Sequence, residues 1–129
     1  MRALIVDDSR AIRGIIKKIL REIGFEVVEA GHGIEAIQRL KDSGSIDVML
    51  VDWNMPEMNG FDFLCYVRGN PDYKKVPFMM VTSETEMSQV ARALDAGANE
   101  YVMKPFTKEV ITDKLAMIGV VGSVASAQL

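Results

Sequence analysis

The chain has 129 residues, a net charge of −3 and 49% hydrophobic residues, which fits one domain able to bury about two-thirds of its unfolded surface. A pI near 5.2 excludes the overall basic footprint of a nucleic-acid binder, and a single cysteine, Cys65, excludes an internal disulfide or a Cys-rich zinc site. No apolar run reaches the ~18 residues that span a bilayer, and Met1-Arg2-Ala3 runs into the first apolar segment without a signal peptide, so a cytoplasmic setting is expected.

Ala3-Leu4-Ile5-Val6 reads as a buried strand ending in Asp7-Asp8. Ser9 is placed as an N-cap, and Ile12, Ile15, Ile16, Ile19, Leu20 and Ile23 recur at helical spacing until Gly24 closes the helix. Phe25 to Ala30 forms a second strand. Gly31-His32-Gly33 turns into a helix carrying Ile34, Ile37 and Leu40. Asp47 to Val51 is the third strand, ending in Asp52; a loop rich in Asn, Pro and Gly leads to a helix over Phe61 to Arg68. Pro77 starts the fourth strand, Phe78-Met79-Met80-Val81, which ends in Thr82. Ser83-Glu84-Thr85-Glu86 has capping-box spacing and predicts a helix with Met87, Val90, Ala91 and Leu94 inward. Glu100 to Met103 is the fifth strand, ending in Lys104-Pro105, and Thr107 caps a last helix with Val110, Ile111, Leu115 and Ile118 on its stripe. Residues 1–118 read as one domain, and 119–129 as a tail expected to be flexible.

Five apolar strands alternating with five helices predict an α/β doubly wound fold, a parallel sheet covered on both faces. The strand ends carry Asp7-Asp8, Asp52, Thr82 and Lys104. In such a sheet they share one edge. If the strand order is 2-1-3-4-5, the first and third strands are neighbours and three carboxylates would meet. Carboxylates brought together repel unless a cation is bound. All-oxygen ligands suit a hard ion such as Mg²⁺, which points to phosphate chemistry. Lys104 would supply positive charge and Thr82 a hydroxyl for phosphoryl oxygens. No glycine-rich phosphate loop follows the first strand, and the acids there would repel a phosphate, so a nucleotide-binding reading is disfavoured. The only histidine, His32, reads as a surface turn residue.

The motifs Val6-Asp7-Asp8-Ser9, Asp52-Trp53-Asn54-Met55-Pro56, Val81-Thr82-Ser83 and Lys104-Pro105-Phe106 resemble those of a response-regulator receiver domain of the single-domain chemotaxis (CheY-like) type. The resemblance covers roughly residues 2–118. It implies a flavodoxin-like five-stranded sheet of order 2-1-3-4-5. It implies that Asp52 accepts a phosphoryl group from a phosphohistidine of a histidine kinase. Asp7, Asp8, Asp52 and the backbone carbonyl of Asn54 would hold Mg²⁺. Thr82 and Tyr101 would switch conformation, Asn54 and Glu84 would tune dephosphorylation, and the Lys104–Pro105 bond would be cis.

The resemblance further implies output by protein contact through the fourth helix, fifth strand and fifth helix. Val90, Tyr101, Met103 and Lys114 would meet an output protein such as a flagellar motor switch. The chain is then a monomeric signalling protein that catalyses only its own phosphorylation and dephosphorylation, with no nucleic-acid or membrane partner. The sequence departs from the family pattern at His32, Ser83, Asn59 and Met87, the last standing where motor regulators carry a basic residue. A phosphorelay intermediate that passes its phosphoryl group to a histidine phosphotransfer protein is the alternative. An aspartyl-phosphate phosphohydrolase is a further one, although Asn54 stands where such enzymes commonly carry an acid.

Overall fold

The apolar runs pair as parallel strands in the order β2-β1-β3-β4-β5. The computed structural model describes residues 1–120, and at 84–86 the backbone alone. Its elements are β1 (Arg2–Val6), α1 (Arg10–Ile23), β2 (Glu26–Ala30), α2 (Gly33–Asp42), β3 (Val48–Asp52), α3 (Gly60–Gly69), β4 (Phe78–Thr82), a 3-10 turn (Glu84–Gln89), α4 (Val90–Asp95), β5 (Glu100–Met103) and α5 (Lys108–Met117). The central strands β3 and β4 are buried along their whole length. That is why their sequences are continuously apolar and do not alternate.

Two apolar layers cover the sheet. Ile16, Ile19 and Leu20 of α1 and Ile111 and Leu115 of α5 pack on one face with Ile5, Leu50 and Val81. Leu40 of α2, Phe63, Leu64 and Val67 of α3 and Ala93 of α4 pack on the other with Leu4, Val51 and Met80. Side-chain caps start the helices. Ser9 Oγ, Asn59 Oδ1 and Thr107 Oγ1 accept from the amides of Ile12, Asp62 and Val110, satisfying donors that a helix start leaves orphaned. His32 is more than a turn residue. Its Nδ1 accepts from the Glu35 amide at 3.2 Å and caps α2. Gly24 ends α1 at φ 114°, a conformation costly for any residue with a Cβ.

Burial corrects several sequence expectations. Ile15 is 50% exposed and Ile34 is exposed as well, because Ile16 and Ala36 occupy the sheet-facing positions instead. The helix expected after Thr82 begins as a 3-10 turn and becomes α-helical only at Val90. The tighter turn changes the phase, so Val90 and Ala93 face inward, while Leu94 is 40% exposed and Ala91 is exposed. The side chains of Glu84 and Glu86, and residues 121–129 of the tail, lie outside the described residues. Among the described residues, no helix is long and apolar enough to cross a membrane.

At the amino-terminal end of the sheet, Arg68 of α3 ties the entries to β4 and β5 together. Its guanidinium donates to the carbonyls of Gly97 (2.9 Å), Lys74 (3.1 Å) and Val76 (2.8 Å) and to Asn99 Oδ1 (3.0 Å). Asn99 Oδ1 in turn accepts from the Phe78 amide at 2.8 Å.

Candidate functional site

Val6 of β1 pairs with Val51 of β3, so Asp7 and Asp52 leave the sheet opposite one another. Asp8 follows on the solvent side. One carboxylate oxygen from each of the three lies within 4.8 Å of the others. Asp7 is 1% and Asp52 6% exposed, and Asp8 is open to solvent. Lys104, just past β5, reaches across to the pair. Its Nζ stands 3.1 Å from Asp7 Oδ2 and 3.2 Å from Asp52 Oδ1. The Lys104–Pro105 bond is cis, as the resemblance implies. Thr82, fully buried at the end of β4, donates from Oγ1 to the Ser83 carbonyl at 3.2 Å, and its backbone carbonyl accepts from the Lys104 amide at 2.7 Å. Asn54 is exposed two residues beyond Asp52.

Three carboxylates against one ammonium leave two uncompensated negative charges when all are ionised. Burial, and next the Asp7 charge, push the Asp52 carboxyl up to about 6, although Lys104 and the Asn54 backbone amide pull the other way. On Lys104, burial alone would lower the pKa, but the charges of Asp52 and Asp7 outweigh it and raise it. An excess of two negative charges on oxygen donors, open on the Asp8 side, fits a hard divalent cation such as Mg²⁺.

Backbone and neighbouring side chains hold this constellation in place. The Ser9 amide donates to Asp7 Oδ1 at 2.8 Å, and Arg13 Nη1 donates to the Asp7 carbonyl at 2.6 Å. The loop after Asp52 folds back so that the Gly60 amide donates to the Trp53 carbonyl at 2.8 Å. A Cβ on Gly60 would come within 2.3 Å of the Asp52 carbonyl oxygen, so only glycine closes this loop.

The model of the response regulator receiver domain matches residues 3–116 of the chain. The chain belongs to that family. Among its relatives, the chemotaxis protein CheY1 of Helicobacter pylori strain 26695 is 44% identical over 119 residues, covering 92% of this chain and 96% of the relative. The CheY homolog of Campylobacter jejuni strain 81-176 is 45% identical over 116 residues, covering 89% of each. The solved structure of Vibrio cholerae CheY4 crystallised at low pH superposes with a TM-score of 0.83 at 35% identity, covering 91% of this chain and 97% of that one. The receiver domain of sensor histidine kinase PA1611 from Pseudomonas aeruginosa, solved with magnesium coordinated in its active-site cleft, has a TM-score of 0.79 at 25% identity over 90% of this chain and 94% of its own. The five-stranded sheet and its 2-1-3-4-5 order are those expected from the resemblance.

The expected output residues of this receiver domain do not all face outward. Val90 is only 8% exposed and points into the core, because the 3-10 turn sets the phase of α4. Met103 is exposed and Tyr101 half-buried. Lys114 Nζ lies 4.7 Å from the centre of the Tyr101 ring and 3.0 Å from Glu100 Oε1. Leu94, expected inside, joins the outer surface. Sequence reasoning also missed two contributors. Arg13 lies on α1, and nothing in its spacing reveals the bond to the Asp7 carbonyl. Arg92 of α4 lies 4.1 Å over the ring of Phe61, which packs at 5.8 Å on Trp53 beside Asp52. This link between α4 and the Asp52 loop has no motif to announce it.

Proposed function

We propose that residues 1–118 act as a phosphorylation-activated switch of a two-component system, with Asp52 as the phosphoacceptor. The observation that carries this reading is the Lys104 ammonium set between Asp7 and Asp52 at 3.1 and 3.2 Å. In this reading an Asp52 carboxylate oxygen attacks the phosphorus of a phosphohistidine on a histidine kinase. The P–N bond breaks, and the imidazole leaves with the bonding electron pair and takes up a proton. Asp7, Asp8, Asp52 and the Asn54 carbonyl hold Mg²⁺, which when bound supplies positive charge toward the phosphoryl oxygens. Lys104 neutralises further charge on the transferring group, where catalysis of phosphoryl transfer mostly resides. Burial of Asp52 keeps bulk water from competing for the carboxylate.

Thr82 then turns its hydroxyl from the Ser83 carbonyl to the new phosphoryl oxygen, and Tyr101 follows it inward. That movement remodels the face made by α4, β5 and α5. Tyr101, Met103 and Lys114 of this face, with Val90 supporting them from beneath, meet an output protein such as a flagellar motor switch. The names of the chemotaxis relatives support this direction of output. Asn54 and Glu84 set a short lifetime for the phosphorylated state. The protein works as a cytoplasmic monomer. The test is beryllofluoride binding with Mg²⁺, followed by fluorescence of Trp53, the only tryptophan. Binding abolished in Asp52→Asn supports the assignment, and undiminished binding in that variant overturns it.

A further inference from the structure

Charge is unevenly placed on this acidic chain. α1 carries Arg10, Arg13, Lys17, Lys18 and Arg21 against one acid, Glu22, which pairs with Lys108 of α5 at 2.7 Å. Between α1, the end of β2 and the start of α2 lies a cleft of about 410 Å³, within the usual size range of small-ligand sites. Four cations line it, Arg10, Arg13, Lys17 and Arg39, against two carboxylates, Glu29 and Glu35. Arg13 Nε and Lys17 Nζ share Glu29 at 3.3 and 3.0 Å. Glu35 Oε1 accepts from the Gly31 amide at 2.5 Å, and its other oxygen is 4.0 Å from Arg39. Arg10 has no ion pair among the described residues. The lining therefore keeps a surplus of two positive charges.

The wall of the cleft adds a second observation. Gly14 sits inside α1, where glycine is disfavoured relative to alanine. Its φ is not in the left-handed region, and a Cβ there would meet nothing within 4 Å. Neither backbone conformation nor packing calls for glycine at this position. What its bare backbone does is leave the cleft wall open.

We propose that this cleft binds a chain of phosphates, as carried by a nucleoside triphosphate or an inorganic polyphosphate. Guanidinium forks match phosphate oxygens in bidentate geometry, and three of the four cations are arginines. Among the described residues no aromatic side chain lines the cleft to stack a base, so the phosphates carry the recognition. The cleft adjoins the acidic cluster through Arg13, which bonds the Asp7 carbonyl, but the proposal does not depend on the phosphoacceptor reading.

The experiment titrates the full chain with tripolyphosphate, and in parallel with ATP, following backbone amide resonances in Mg²⁺-free buffer. The expected result is saturable shifts at residues 10–17 and 29–39, with both ligands binding to within a few-fold. Arg10→Ala combined with Arg39→Ala should weaken both at least about tenfold. Gly14→Glu, which favours the helix while placing an acid in the cleft, should abolish binding without loss of helical circular dichroism. Shifts that never saturate, binding of ATP alone, or unchanged affinity in the folded variants would each overturn the proposal.

Discussion

Lys104 Nζ lies 3.2 Å from Asp52 Oδ1 and is the only cation bonded to that carboxylate among the described residues. The same ammonium bonds Asp7, so removing it strands two buried acids at once. Lys104→Met should cost about 2 kcal/mol in Mg²⁺-free buffer. This is below the loss usual for a fully buried pair, because Lys104 is partly exposed to solvent. Thermal melts with and without Mg²⁺ check this, and the metal should recover part of the loss. Phosphorylation of the variant should be slower at saturating Mg²⁺.

The Asp52 carboxyl, raised to about 6 in the fold from an ordinary 3.8, gives stability a pH dependence of definite sign. Between these values the folded protein binds more protons than the unfolded chain, so stability falls as pH rises through that window. For this group alone the fall is at most about 3 kcal/mol. Denaturant melts in EDTA from pH 4 to 7 should show it once the other groups are subtracted by comparison with Asp52→Asn. That variant should be the more stable of the two at neutral pH, and a steeper decline in Asp52→Asn would contradict the assignment.

Gly60→Ala forces a methyl group against the Asp52 carbonyl, 2.3 Å from the ideal Cβ position. The loop must move away, at a cost of about 3 kcal/mol, the upper end for overpacked sites. The movement also carries Asp52 and Asn54 off their positions. Mg²⁺ titrations of Trp53 fluorescence should show weaker binding even where the variant remains folded.

His32 caps α2 with a neutral ring nitrogen, a weaker arrangement than a carboxylate at a helix start. His32→Asp should stabilise the protein by about 0.5–1 kcal/mol at neutral pH. A lower melting temperature in His32→Asp would mean that the imidazole makes contacts beyond the cap.

Arg92→Ala removes the cation over Phe61. Its direct cost should be about 0.5–1 kcal/mol, as for other exposed cation–π pairs. A more telling readout is Trp53, which packs on the same ring. If α4 and the Asp52 loop move together, the fluorescence change on beryllofluoride binding should shrink in this variant.

The strands and the acidic edge were legible because each depends on a local pattern. An apolar run ending in Asp7, Asp52 or Thr82 needs no long-range knowledge to read. The caps at Ser9 and Thr107 follow the same logic, each a short polar side chain ahead of an apolar stripe, whereas the Asn59 cap emerges only in the structure. Ile15 and Ile34 were misplaced because periodicity marks a stripe wider than the sheet can cover. Leu94 was misplaced for a different reason, a 3-10 start that shifts the phase of α4 without a clear sequence mark. Arg13 and Arg92 were illegible because their partners are the Asp7 carbonyl and the Phe61 ring. Both contacts exist only once two elements have packed.

The Arg68 junction has a mechanical meaning. It clamps the chain where β4 and β5 enter the sheet, while Thr82 and Lys104 stand at the exits of the same strands, joined by the bond from the Lys104 amide to the Thr82 carbonyl. A plank fixed at one end bends most at the other. If Thr82 moves as proposed, this clamp opposes sliding of the whole strand pair and would favour displacement into α4 and β5. On the proposed switch, Arg68, at the far end of the molecule from Asp52, would set the stiffness against which the signal works, and loosening it should blunt the response without touching the chemistry.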